Sequence, residues 1–123
     1  MNLTTENTAL PLLDTVEAID NLGGDTDLYR QVVELFRDDA NAQLAALESA
    51  LTSGDYPTGR RVAHTLKGTA ASVGALRLRA AAYALESACA NGNPSAIANA
   101  LPALKDEIGA AHRVLGEFIA TLD

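Results

Sequence analysis

An all-α fold, an antiparallel four-helix bundle with an additional short N-terminal helix, is predicted by three observations on this 123-residue sequence. Ala and Leu dominate it, at 24 and 18 residues, against 10 Val plus Ile and no Trp. The first two are the strongest helix formers, while β-branched and aromatic residues mark strands. Apolar residues also recur at three- and four-residue steps over long stretches. Finally, Gly and Pro cluster at Gly23-Gly24, Ser53-Gly54-Asp55, Gly74 and Asn91-Gly92-Asn93-Pro94, cutting the chain into helix-length pieces. The length supports one domain.

The pieces read as helices in turn. A short first helix starts at Asp14, a good N-cap, and runs through Val16 and Ile19 to Leu22. The second carries Leu28, Val32, Leu35/Phe36, Ala40, Leu44, Leu47 and Leu51, with Asp25 or Asp27 as its cap. A third begins near Pro57 and ends at Gly74. The fourth carries Leu78, Ala81/Ala82, Leu85 and Ala88/Cys89. The fifth starts near Pro94-Ser95 and carries Leu101, Leu104, Ile108, Leu115 and Ile119. Pro102 lies inside it, where a missing N–H and a ring clash predict a bent or broken first part. Alanine stripes on the third and fourth helices predict close axes in that half.

Composition excludes several functions. Nine basic against 16 acidic side chains give a net charge of −7, against a phosphate-backbone binder of nucleic acid. Cys89 is the single cysteine, so no internal disulfide forms, and no Cys/His cluster has metal-site spacing. No stretch approaches the roughly 20 apolar residues of a membrane span. The N-terminus lacks signal-peptide character, so a cytoplasmic location is expected.

The informative stretch runs from Arg60 to Ala75. At about 100° per helical residue, Val62, Leu66, Thr69 and Val73 cluster as a core stripe. His64, Lys67, Gly68, Ala71 and Ala75 cluster opposite, with Arg60 one turn before the histidine. His64 therefore faces outward. Imidazole is a nucleophile at neutral pH, its free pKa being about 6.5. Lys67 lies one turn on and can neutralise a phosphoryl group on that ring. Gly68 costs the helix about 1 kcal/mol relative to Ala, which makes sense if something must approach the backbone there. Ala71 and Ala75 extend a smooth surface for a partner.

The run Ala63-His64-Thr65-Leu66-Lys67-Gly68-Thr69-Ala70-Ala71, followed by Gly74-Ala75, resembles the signature of histidine-containing phosphotransfer (HPt) domains, the relay modules of two-component multistep phosphorelays. Leu22-Gly23-Gly24-Asp25, Leu28-Tyr29 and Leu85-Glu86 extend the resemblance to residues 14–122. It implies one domain over residues 1–123, with 1–13 a flexible or partly ordered tail. It implies His64 as phosphoacceptor through Nε2, Lys67 as the charge holding the phosphoryl oxygens, and Gly68 as room for the partner's active-site loops. Glu86, 22 residues after the histidine, stands where the family often has a polar residue that bonds Nδ1. The implied partners are receiver domains of response regulators or of a hybrid sensor kinase, with a monomer as the expected state. The implied domain is no enzyme in its own right. It has no ATP site and no cofactor, and Mg²⁺ is supplied by the receiver. Two alternatives stay open: the phosphoacceptor domain of a hybrid or chemotaxis-type histidine kinase, and a receiver-binding bundle without phosphotransfer.

Other residues read as structural. His112 sits beside Ile108 and Leu115 on a helix flank, and Cys89 is a small core side chain. Tyr29, Tyr56 and Tyr83 form no stacking platform. Asp38 and Asp39 diverge by about 100° on their helix and are surface charge.

Overall fold

The computed structural model describes residues 10–122. Within them lie helices α1 (Thr15–Asp20), α2 (Thr26–Thr52), α3 (Tyr56–Val73), α4 (Leu76–Ala90) and α5 (Pro94–Ile119). Four of them begin on a capping side chain. Asp14, Asp25, Asp55 and Asn93 each accept from the backbone N–H three residues on, which satisfies an otherwise orphaned donor. Asp55 also accepts from the Thr58 hydroxyl, which holds its carboxyl below the usual carboxylate range. Turns of two or three residues join the long helices, so successive helices run antiparallel. α3 packs on α2 and α4, α5 closes the bundle against α4 and α2, and α1 lies on α2 and α3.

The core is aliphatic, with Leu47, Leu66, Leu78, Leu85, Leu104 and Leu115 all buried at the bundle axis. Between α3 and α4 it narrows to small residues: Gly59, Ala63, Ala70 and Ala82 are buried there. A Cβ on Gly59 would lie 2.8 Å from Leu51 Cδ2 and 3.3 Å from Cys89 Sγ, so α2 and α4 both close on α3 at that point. The expected close axes of this half follow from these contacts.

Several predicted stripes are rotated. On α3 the centre of the buried face is Ala63, Leu66, Ala70 and Val73, while Val62 and Thr69 are only half-buried. On α2 it is Tyr29, Val33, Phe36, Ala40 and Leu47, and Leu28 and Leu35 are exposed. On α1, Ala18 is buried and Val16 faces solvent. On α1 and α3 an alanine takes the central position and the neighbouring Val16 or Val62 stands outside it, while on α2 Tyr29 and Val33 are central and Leu28 and Leu35 lie outside. Pro102 does not break α5, which continues through it. Pro102 and Ala98 are both exposed, so water can satisfy the carbonyl that loses its donor.

The C-terminal end of α3 is held from two directions. Gly74 caps the helix in the left-handed conformation, φ 76°, and a Cβ there would run into the Asp14 carbonyl. The Asp14 N–H donates to the Gly74 carbonyl at 2.7 Å and the Leu76 N–H to the Leu12 carbonyl at 3.0 Å, with Leu13 bridged to Ala75. From α2, the buried Tyr29 hydroxyl donates to the Val73 carbonyl at 2.7 Å. Ala75 is consequently buried rather than part of an outer surface, because the helix has already turned at Gly74. Of the expected tail, residues 1–9 lie outside the described residues.

Candidate functional site

The exposed face of α3 and the adjoining face of α4 carry a group of four side chains. His64 is two-thirds exposed, its side chain at 66 %. Its Nδ1 lies 2.8 Å from Glu86 Oε2 on α4. The second carboxylate oxygen, Oε1, is 2.7 Å from Lys67 Nζ, and that ammonium also stands 5.3 Å from the centre of the Tyr83 ring. The geometry follows from two helical turns set side by side. His64 and Lys67 are three residues apart on α3, Tyr83 and Glu86 three apart on α4. The small residues Ala63 and Ala82 let the helices come close enough for Glu86 to reach both partners.

Glu86 is largely shielded, at 14 % side-chain exposure, yet its carboxyl is held below the usual carboxylate range. The contact with Lys67 is the main cause, the His64 contact adds to it, and burial opposes both. An ionised carboxylate can only accept, so the hydrogen between the two groups belongs to His64 Nδ1. In the neutral ring, Nε2 is then the nitrogen with a free lone pair. An imidazole of fixed tautomer results, its ring largely open to solvent.

Gly68, one turn beyond His64, is exposed, and a Cβ built on it meets nothing within 4 Å. Packing within the chain does not require glycine there. Around it Thr65, Thr69 and Ser72 fold their hydroxyls back onto the carbonyls of Arg61, Thr65 and Gly68, which keeps this face shallow. A groove between α2 and α3 opens beside it, lined by Val32, Leu35, Phe36, His64, Gly68 and Ser72 among others. Leu35 is 63 % exposed on its rim.

All four residues singled out in the sequence thus lie on this surface, and Glu86 joins His64 to Lys67. Two features were missed. Tyr83 flanks the Lys67 ammonium, and its spacing of three from Glu86 was the available signal. The groove's apolar wall was missed because Leu35 reads equally well as core. The remaining candidates stand apart. His112 is half-buried on α5 and offers its backbone carbonyl to Arg37 Nε at 3.0 Å. Cys89 is buried, which pushes its thiol pKa up, and Asp38 and Asp39 are exposed. Among the described residues no three His, Cys, Asp or Glu side chains converge as a metal site would need. No helix among them is long and apolar enough to cross a membrane.

The family model described as Hpt domain matches residues 31–114. Among solved structures, the fold is similar to histidine-containing phosphotransfer protein B from Pseudomonas aeruginosa PAO1, with TM-score 0.82 and 22% identity over 91% of this chain and 97% of that one. It is also similar to the histidine-containing phosphotransfer protein ZmHP2 from maize, with TM-score 0.77 and 24% identity over 96% of this chain and 90% of the other. No curated protein matches the chain in sequence.

Proposed function

The chain belongs to the Hpt domain family, and we propose that it accepts a phosphoryl group on His64 from a receiver-domain aspartate and passes it to another. The observation that carries this reading is the bond from His64 Nδ1 to Glu86, 2.8 Å long, which reserves Nε2 on an exposed ring for attack. The Nε2 lone pair attacks phosphorus in line. The P–Nε2 bond forms as the bond between phosphorus and the aspartyl oxygen breaks, and that electron pair leaves with the aspartate carboxylate. The hydrogen stays on Nδ1, and the positive charge gained by the ring is compensated by Glu86. Reverse transfer follows the same path.

In this reading Lys67 supplies positive charge beside the phosphoryl oxygens, and Gly68 leaves the space through which the receiver's loops approach. The Mg²⁺ of the reaction belongs to the receiver. Val32, Leu35 and Phe36, in the groove beside His64, suit an apolar contact with that partner. The partners are receivers of response regulators or of a hybrid sensor kinase, met by a monomer in the cytoplasm.

The test is incubation with a panel of phosphorylated receivers, scored for acid-labile phosphate on this chain, alongside a histidine kinase plus ATP as the competing donor. Label is expected from a receiver, absent from His64→Gln, with helicity and thermal unfolding changed within about 0.5 kcal/mol. Label that persists in His64→Gln would overturn the assignment. Label from the kinase alone would favour the kinase-domain alternative.

A further inference from the structure

Lys67 is not the only cation within a helical turn of His64. Lys67 spends its charge on Glu86, 2.7 Å away, and lines a depression with Tyr83 and Arg79 that His64 does not share. Besides the groove it shares with Gly68, His64 lines a depression with Pro57, Arg60, Arg61, Thr65 and Glu86. Helical side chains lean toward the N-terminus and cover the preceding turn, which brings residues 60–61 within reach of the His64 ring. Of the two arginines there, Arg61 is engaged: its guanidinium contacts the Thr58 hydroxyl at 3.4 Å and acts on the Asp55 carboxylate. Arg60 is exposed, and its guanidinium takes part in no hydrogen bond or ion pair among the described residues.

The charges then do not balance once phosphate arrives. Lys67 and the phosphorylated ring supply two positive charges, against one negative charge on Glu86 and close to two on the phosphoryl group at neutral pH, which leaves about one negative charge uncompensated. We propose that Arg60, four residues before His64 on the same face of α3, is a second phosphoryl-contacting cation of the phosphorylated domain, beside Lys67. A residue four positions away on a helix is within side-chain reach, and a guanidinium can present two N–H groups to two phosphoryl oxygens. This assignment rests on His64 as the phosphorylated residue and deepens that reading.

The test needs no receiver. Phosphoramidate transfers its phosphoryl group to an imidazole nitrogen with loss of ammonia, so the full chain can be phosphorylated chemically. His112→Gln serves as the background, leaving His64 as the only imidazole. The ³¹P resonance is then titrated with pH in that background and in Arg60→Ala, Arg60→Lys, Arg61→Ala and Arg113→Ala added to it. A guanidinium beside the group favours its dianion, so Arg60→Ala should move the midpoint upward by roughly 0.5 pH unit, about threefold in the ionisation constant. Arg60→Lys should restore part of the shift. Arg113→Ala makes the same change in net charge on α5 and should leave the midpoint unmoved. Equal midpoints for Arg60→Ala and the background, a larger shift from Arg61→Ala, or no labelling of His64 would each overturn the proposal. A chain that takes no phosphate from any receiver, yet shows the Arg60 shift, would fail as a relay and keep this site.

Discussion

Glu86 Oε2 accepts the His64 Nδ1 hydrogen at 2.8 Å, across 22 residues of sequence and from one helix to the next. The partnership sets which imidazole nitrogen is free. Glu86→Ala should therefore shift the neutral His64 ring from the Nδ1–H toward the Nε2–H tautomer and slow phosphate acceptance. Glu86→Gln keeps an acceptor oxygen and should keep the tautomer, while losing the charge that offsets Lys67. ¹⁵N NMR of the imidazole separates the two variants. An unchanged tautomer population in Glu86→Ala would mean that the contact does not control the ring.

Acid should undo the same contact. The Glu86 carboxyl is held below the usual carboxylate range, so its stabilising contribution is complete above the ordinary glutamate pKa and is lost as pH falls through the lowered one. A midpoint of thermal unfolding followed from pH 6 downward should fall less steeply in Glu86→Gln than in the wild type. Parallel curves would show that the carboxylate adds no pH-dependent stability.

Lys67 has two neighbours in the unphosphorylated chain, the Glu86 carboxylate and the Tyr83 ring. Lys67→Ala should slow receiver transfer without abolishing it, since a charge-assisted contact contributes on the order of 1.5–3 kcal/mol. Tyr83→Phe keeps the ring face and should behave as the wild type, while Tyr83→Leu should loosen the ammonium. Rapid-quench transfer from one receiver measures all three. A wild-type rate in Lys67→Ala would exclude this side chain from the transfer step.

Helix number, helix order and the caps Asp14, Asp25 and Gly74 were legible in the sequence, because capping and turn chemistry depend on neighbours a few residues away. The outward face of His64 was legible for the same reason: its 100° steps from Leu66 and Val73 do not depend on the partner helix. The rotation of the buried stripes was not. Whether Leu35 or Val33 points to the axis depends on what α3 presents across the gap, and α3 presents Ala63 and Ala70 there. The Tyr29–Val73 bond was hidden too, since no local pattern announces a hydroxyl meeting a carbonyl 44 residues away.

That bond has its own pH signature. Burial raises the Tyr29 hydroxyl from its ordinary value of 10 to about 12. A group kept protonated by the fold contributes stability that is whole below the unfolded-state pKa and is lost as pH rises through the folded one. The wild type should therefore lose stability between pH 10 and about 12. Tyr29→Phe should lack this component and start lower, by about 1–2 kcal/mol for the missing hydrogen bond. Thermal unfolding across that range checks both, and an identical alkaline slope in the variant would assign the loss to other groups.

Gly68 and Gly74 bound the last turn and a half of α3, and the two glycines should respond in opposite ways. At Gly74 the backbone is left-handed, and a Cβ would meet the Asp14 carbonyl. Gly74→Ala should lower stability by roughly 1–3 kcal/mol. At Gly68 the backbone is helical and the space outside is empty. Gly68→Ala should raise stability by up to about 1 kcal/mol, and Gly68→Gln should fold equally well. Transfer should follow the reverse order at that position, because a side chain one turn beyond His64 stands where the receiver aspartate must come. Thermal unfolding and transfer from a single receiver, measured on the same preparations of wild type, Gly68→Ala and Gly68→Gln, test the two halves together. Full transfer by Gly68→Gln would mean that close approach is not the reason for glycine. A loss of stability in Gly68→Ala would instead point to a strain in the helix that the open space around this residue does not suggest.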